Sequence, residues 1–239
     1  MLYPLTDNSV VTLANQWTSL ADHYLLSWAH SRQDVNRVIQ KSNLPEYCEQ
    51  AGVSFPKTQV ISSEGDVEQC LDKLSLPILV KPNKQSFSFK THRCETAESL
   101  KEFALSHMES WPLIAQEWIG GDDSSLYFYT CFSDKGKEYS GLSGRKVRAS
   151  PPAMGIATVL ETSDDSSVCD AAQKMLSVLN VSGPIAMEFK KDELGRLWFI
   201  EANVGRTEYC VDLAVQAGFN LPYVEYKYAV GAPLPPVPS

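Results

Sequence analysis

The chain has 239 residues, of which 44% are hydrophobic and 21% are charged, a composition typical of a globular protein that buries a sizeable core. Its 21 basic and 29 acidic residues give a net charge of −8, which disfavours nucleic acid as a partner. No segment approaches the about 18 consecutive apolar residues of a membrane span, and residues 1–5 lack the features of a secretory signal. These observations predict a cytoplasmic protein without a membrane partner.

Helices alternate with short strands in the first half of the chain. Apolar residues at three- and four-residue steps, together with polar caps, predict helices over 10–24, 35–51, 63–74 and 96–108. Short apolar runs that end at proline or glycine predict strands near 55–58, 77–82 and 113–119.

The second half is richer in hairpins. Alternating apolar and polar residues predict strands over 125–133, 138–147, 155–162, 184–190 and 196–203. A helix capped by Ser163 follows the third of these strands, and two more helices follow the last at 209–217 and 222–229. The mixture predicts α+β architecture with two lobes and a seam near 112–121, where a ligand cleft is expected.

Several familiar active sites are excluded by their absence from the sequence. The six cysteines stand singly and the four histidines do not pair at metal-ligand spacing, which disfavours a zinc hydrolase. We interpret the cysteines as reduced structural thiols, with a catalytic cysteine as the alternative. The glycine-rich phosphate loop, the nucleophile elbow and the H-E-x-x-H motif are also absent.

The last predicted hairpin carries a candidate metal site. If its turn is 192–195, Glu188 lies opposite Phe199, and Glu188, Glu201 and Asn203 share one face. Oxygen ligands at this spacing suit a hard cation such as Mg²⁺. The alternative is an exposed hairpin with acidic side chains in solvent. A turn longer or shorter by one residue would move one carboxylate to the other face.

A basic strand is the second candidate for ligand binding. Alternation places Lys146 and Arg148 on one face and Arg145 on the other. These side chains form either a solvated basic edge or a site that recognises a phosphate or carboxylate.

Four segments, in order, resemble the ATP-grasp ligases, in particular the carboxylate–amine branch that includes D-aspartate ligase-like proteins. They are Gln40-Lys41 with Gly52 and Pro56-Lys57-Thr58, then 79–82, then 116–122, then Glu188 with Glu201-Ala202-Asn203. The resemblance covers about 35–230 and implies an α+β ATP-grasp fold with the nucleotide between two α+β lobes.

The resemblance also implies a division of the chain. Residues 1–34 would be the remnant of a preceding α/β subdomain, 35–231 the ATP-grasp domain with its smaller lobe at about 55–118, and 232–239 a proline-rich tail. With its N-terminal subdomain truncated, the chain is expected either to be a fragment or to bury residues 1–30 in a homo-oligomer.

The implied activity is ATP-dependent ligation of a small-molecule carboxylate to an amine through an acyl phosphate, with release of ADP and phosphate. The implied ATP contacts are Lys41, Lys81, Gln116, Glu117, Trp118, Ile119 and Asp122. The implied ligands of Mg²⁺, with Mn²⁺ as the alternative, are Glu188, Glu201 and Asn203. Catalytic roles fall to Arg206, Lys81 and Arg148.

The chain departs from the family pattern in three places. Gln40 replaces the usual acid beside Lys41, residues 83–90 lack the usual glycines of the phosphate loop, and Gly205 stands where many relatives have arginine, which moves that role to Arg206. These departures keep two alternatives open. One is a nucleotide-binding or assembly module without turnover, and the other is a small-molecule kinase on the same scaffold.

Overall fold

The computed structural model describes residues 1–83, 89–152 and 155–237. Its helices are α1 Asp7–Leu20, α2 Arg32–Val38, α3 Leu44–Ala51, α4 Glu64–Lys73, α5 Ala97–Ser106, α6 Ser166–Leu179, α7 Val211–Gln216 and α8 Leu221–Ala229. Its strands are β1 Thr58–Ile61, β2 Ile78–Pro82, β3 His92–Cys94, β4 Leu113–Glu117, β5 Leu126–Asp134, β6 Lys137–Ser150, β7 Ile156–Thr162, β8 Gly183–Lys191 and β9 Leu197–Val204. The predicted α+β class is confirmed.

Side-chain caps determine where several helices begin. The Thr6 hydroxyl accepts from the Ser9 N–H at 3.1 Å, and the Thr6 N–H donates to the Ser9 hydroxyl at 3.0 Å. This reciprocal pair starts α1 earlier than predicted. Helix α6 is capped by Asp165, whose carboxylate accepts from the Ser167 N–H at 3.1 Å. The prediction that Ser163 caps this helix is therefore wrong.

The smaller lobe is built on a four-stranded antiparallel sheet in the order β1-β4-β2-β3. Helices α4 and α5 bury Val67 and Leu100 against Ile78 and Leu113 of the strands. The sheet spans 58–117, and the exact domain boundaries stay predictions.

The larger lobe is built on a five-stranded antiparallel sheet in the order β7-β6-β5-β8-β9. One face of this sheet, which carries Met187, packs on α1, α2, α3 and α6 in a core that includes Val10 and Met175. The other face carries Phe132, which packs against α7 and α8. Because side chains alternate along β8, Glu188 lies on this second face, next to the cleft between the lobes.

Residues 118–125 connect the smaller sheet to the larger one, close to the predicted seam. Of the predicted phosphate loop 83–90, residues 84–88 lie outside the described residues. No helix among the described residues is long and apolar enough to cross a bilayer.

The register of the β8–β9 hairpin differs from the prediction. Its loop covers 192–196, and the pairing of Glu188 with Phe199 is wrong, because Glu188 pairs with Glu201. Between the pairs Phe189–Phe199 and Glu188–Glu201, Ile200 is an extra residue that forms a β-bulge. The longer loop and the bulge compensate for each other, so the two carboxylates still share a face.

Asp192 explains the length of this loop. Its Oδ1 accepts from the N–H groups of Leu194 and Arg196, each at 2.9 Å. Gly195 adopts a φ of +75° inside the loop, a conformation that costs glycine little. The five-residue loop is therefore closed by its own side chain, a contact that strand alternation does not predict.

Candidate functional site

Two adjoining cavities of about 470 and 460 Å³ lie between the sheets. Lys81, Glu188 and Glu201 belong to the walls of both. We call the first the hinge cavity, because residues 116–119 line it, and the second the arginine cavity, because Arg206 lines it. The sequence-predicted residues that line one cavity or both are Lys41, Lys81, Gln116, Glu117, Trp118, Ile119, Asp122, Glu188, Glu201, Asn203 and Arg206.

The facing carboxylates of Glu188 and Glu201 are the electrostatic centre of the cleft. Lys41 Nζ lies 2.8 Å from Glu201 Oε1. Burial alone would raise the pKa of Glu201, but the charges of Lys41 and Lys81 lower it to about 2. Burial, followed by the charge of Glu201, raises the pKa of Glu188 above its usual range. A positive charge in addition to Lys41, placed between Glu188 and Glu201, would reduce the repulsion between the two carboxylates.

The donor set fits a hard divalent cation. Glu188 and Glu201 offer carboxylate oxygens on one face, and Asn203 offers an amide oxygen two residues beyond Glu201 on the same strand. Asn203 Oδ1 accepts from Arg206 Nη2 at 2.9 Å, so its oxygen points into the same charged region. Within the described residues no three His, Cys, Asp or Glu side chains form a metal-binding group. A third protein ligand for a cation here would be the amide oxygen of Asn203.

Lys81 is held at the inner wall of the cleft by the smaller sheet. Its side chain on β2 is 4% exposed, and its Nζ donates to Gln116 Oε1 at 3.0 Å. Gln116 is fixed in turn, because its Nε2 donates to the Thr58 hydroxyl at 2.9 Å. Burial lowers the pKa of Lys81 to about 8. The chain thus keeps a poorly solvated ammonium group in the cleft.

Residues 116–119 and 121–122 line the hinge cavity, and the polar side chains of Glu117 and Asp122 accept hydrogen bonds from nearby backbone N–H groups. Glu117 Oε1 accepts from the Ser75 N–H at 3.1 Å. The Asp122 carboxylate accepts from the Ser124 N–H at 2.9 Å and begins the short 3₁₀ helix Asp123–Ser125. These contacts hold the backbone of the hinge in place.

Arg206 is enclosed by acceptors rather than free. Its Nε lies 2.5 Å from Asp7 Oδ1, and its guanidinium also contacts Asn203 and Glu208. Burial raises the pKa of Glu208 to about 7, against the opposing charge of Arg206. Gly205, the residue before Arg206, has a φ of +72°, and this conformation turns the chain at the end of β9.

Arg148 is exposed, and it lines neither cavity among the described residues. Lys146, predicted on the same strand face, is buried in the cleft, with its Nζ 3.5 Å from Asp123 Oδ1. The β6–β7 register shifts between Lys146 and Arg148, so their environments differ although they are two residues apart. A catalytic role for Arg148 stays a prediction.

The sequence reasoning missed several residues of the cleft. They are Asp7, Asp123, Lys190 and Glu208. Two further residues, Lys146 and Lys90 of the predicted phosphate loop, were singled out by the sequence without being assigned to the site. The signal for Lys190 was present, because it follows Glu188 by two residues on the same strand face. Burial, followed by the charge of Lys146, lowers the pKa of Lys190 to about 8.

No protein-family model matches the sequence. The chain is 25% identical over 181 residues to the D-alanine–D-alanine ligase of Methylococcus capsulatus, covering 70% of this chain and 57% of that protein. It is 20% identical over 193 residues to the same enzyme of Pseudomonas putida, covering 75% and 59%. The chain thus spans less than two thirds of the length of these relatives.

Solved structures show the same fold. The N5-carboxyaminoimidazole synthetase of Staphylococcus aureus with ADP has a TM-score of 0.73 at 14% identity, covering 94% of this chain and 59% of that one. The biotin carboxylase of Campylobacter jejuni with an ATP ligand has a TM-score of 0.73 at 15% identity, covering 93% and 53%. The L-amino acid ligase of Bacillus licheniformis has a TM-score of 0.62 at 18% identity, covering 83% and 49%. The predicted two-lobed ATP-grasp fold is confirmed, and the chain is similar in sequence to D-alanine–D-alanine ligases.

Proposed function

We propose that the protein is an ATP-dependent ligase that joins a small-molecule carboxylate to an amine and releases ADP and phosphate. The observation that carries this proposal is the convergence of Lys41, Lys81 and the Glu188–Glu201 pair in one cleft between the lobes. The D-alanine–D-alanine ligases among its relatives support amino acids as both substrates. A cytoplasmic location and a homo-oligomeric state stay predictions.

The charges of the cleft match a nucleoside triphosphate. ATP carries about four negative charges, which need cations in a poorly hydrated site. Lys41, Lys81 and Lys146 all line the arginine cavity. Within the described residues the N–H of Ile119 has no backbone acceptor, so the hinge offers a donor for the base.

The acidic face supports magnesium as the metal of this reaction, with Mn²⁺ as the alternative. Glu188, Glu201 and Asn203 would hold it, and when bound it neutralises charge on the phosphates. The chain's own part is to keep these oxygens on one face, which the bulge at Ile200 achieves.

The reaction would proceed in two displacements. The substrate carboxylate forms a bond from its oxygen to the γ-phosphorus, and ADP leaves with the electrons of the broken phosphorus–oxygen bond. The amine then forms a bond to the acyl carbon, phosphate leaves, and the amine loses a proton to water. Lys81 and Arg206 would orient the phosphoryl and carboxylate groups, so catalysis depends on positioning and charge rather than on a protein nucleophile.

A screen for ADP release from ATP and Mg²⁺ with pairs of amino acids tests the proposal. We expect ADP formation that requires both a carboxylate and an amine, and its loss in Glu201→Gln. Glu49→Gln, which removes an exposed carboxylate outside the cleft, is the matched control and should retain activity. ADP formation with a carboxylate alone would instead indicate a kinase, and Mg²⁺-dependent ATP binding without turnover would indicate a non-catalytic module.

A further inference from the structure

Lys190 is a buried cation at the hinge end of the cleft. Its side chain on β8 is 7% exposed and lines the hinge cavity. It lies on the same strand face as Glu188, so the two share the wall of this cavity. Its Nζ lies 4.3 Å from the ring centroid of Trp118, a residue of the connection between the lobes.

The ammonium of Lys190 differs in its contacts from those of the other lysines that line the cleft. Lys41 is paired with Glu201, Lys81 donates to a glutamine oxygen, and Lys146 lies near Asp123. Across 1–83, 89–152 and 155–237, Lys190 has no hydrogen-bond acceptor and no carboxylate within 4.0 Å. The face of an aromatic ring compensates only part of the desolvation of an ammonium group. Lys190 Nζ is not among the described side-chain atoms that are sealed from solvent, so it is a donor in the cavity wall that a ligand can use in place of water.

The position of Lys190 shows which part of the ligand this is. Two residues along a strand correspond to about 6.6 Å, so Lys190 is displaced by about that distance from Glu188, which would hold the metal beside the phosphates. The displacement is toward the hinge, because Trp118 contacts Lys190. The base is the part of the nucleotide that is farthest from the phosphates, so on the proposed function it would lie at this end of the cavity.

We propose that Lys190 is a specificity-determining residue of the nucleotide site, and that its ammonium donates a hydrogen bond to a ring nitrogen of the purine base. The inference rests on the proposed function, since it takes ATP as the ligand. If the free N–H of Ile119 in the hinge takes N1 of adenine, the acceptors left for Lys190 are N7 and N3. A base without an acceptor there would displace water from the ammonium and replace no hydrogen bond, which favours purine nucleotides.

Titration calorimetry with the full chain and Mg²⁺ tests this assignment, with ATP and inorganic tripolyphosphate as ligands. Lys190→Met keeps the apolar stem and removes the donor, so ATP should bind roughly ten- to hundredfold more weakly, while tripolyphosphate binding is unchanged. Lys190→Arg should restore part of the ATP affinity. Lys191→Met is the matched control, because Lys191 faces the other side of β8 and pairs with Asp165; its ATP affinity should equal that of the wild type.

Two base analogues locate the acceptor. Either 7-deaza-ATP or 3-deaza-ATP should bind the wild type about tenfold more weakly than ATP does, and the difference should disappear in Lys190→Met. Equal losses for ATP and tripolyphosphate would place Lys190 on the phosphates and overturn the assignment. So would unchanged ATP affinity in Lys190→Met, or wild-type affinity for both analogues. A wild type that binds no ATP would overturn the proposed function itself, and this inference with it.

Discussion

Replacement of Lys81 by methionine should stabilise the protein and weaken ATP binding at the same time. The side chain is 4% exposed, and burial lowers its pKa from 10.5 to about 8. A lysine whose pKa is lower in the folded state destabilises the fold wherever it is protonated. Between pH 8 and 10.5 the unfolded chain binds more protons, so stability rises with pH in that window, and below pH 8 the full penalty is present.

The magnitude follows from this shift. A change from 10.5 to about 8 corresponds to about 3 kcal/mol at about 1.4 kcal/mol per pKa unit. The substitution also leaves Gln116 Oε1 without its donor, which costs about 1 kcal/mol. The net gain in the free energy of unfolding at pH 7 is therefore about 2 kcal/mol, or about 4–8 °C in the melting temperature of a chain of this length.

Thermal unfolding and calorimetric titration of the same samples measure the two effects. Loss of a charge-assisted hydrogen bond to phosphate should weaken ATP binding by about 1.5–3 kcal/mol. The stability difference between variant and wild type should shrink as the pH is raised from 8 to 10.5, because wild-type Lys81 then becomes neutral. A variant that is less stable than the wild type at pH 7, or that binds ATP with unchanged affinity, would contradict this role of Lys81.

Lys41→Met is the matched control, and we expect it to lower the free energy of unfolding, whereas Lys81→Met raises it. Burial lowers the pKa of Lys41, but Glu201 raises it further, so the net shift is upward and the charged form stabilises the fold. Its removal leaves the Glu201 carboxylate, whose side chain is 23% exposed, without its nearest cation, which should destabilise the protein by about 2 kcal/mol. A gain in stability for both variants would show that lysine burial alone, and not the partner, decides the outcome.

Three further substitutions probe the cleft and its support. Glu188→Gln should raise the melting temperature at pH 7, because burial and Glu201 raise the pKa of this carboxyl, and the gain should vanish below its ordinary pKa of 4.5; equal gains at both pH values would contradict this. Gly144→Ala should lower the free energy of unfolding by about 2–4 kcal/mol in urea, because a Cβ there would overlap the ring of Phe128. Asp7→Asn should cost about 1–3 kcal/mol by the same assay, because Arg206 loses a buried carboxylate at 2.5 Å; an unchanged urea midpoint would argue against it.

Local patterns predicted much of this site because they depend on neighbouring residues. Strand alternation placed Glu188, Glu201 and Asn203 on one face, and the structure has them there. The reasoning behind the prediction was incomplete, since it assumed a shorter loop and no bulge. The two errors cancelled because an extra loop residue and an extra strand residue each reverse the face.

Contacts between distant segments were beyond the sequence patterns. The Asp7–Arg206 ion pair joins residues 199 positions apart, and no local feature of α1 marks its first residue as part of a site. Lys146 and Arg148 looked equivalent by alternation, but the irregular pairing of β6 with β7 buries one and exposes the other. Such outcomes depend on the partner strand, whose register a single sequence does not determine.

The ion pair between Lys41 and Glu201 contributes to the stability of the cleft without a ligand. Two facing, partly buried carboxylates would repel each other, yet Lys41 neutralises one of them at 2.8 Å. A cation bound at the same oxygens and a phosphate beside Lys41 would replace this ion pair by two others. Because each charge would exchange one partner for another, Glu201 keeps a cationic partner both with and without the proposed ligand, and the carboxylates are already in place to receive it.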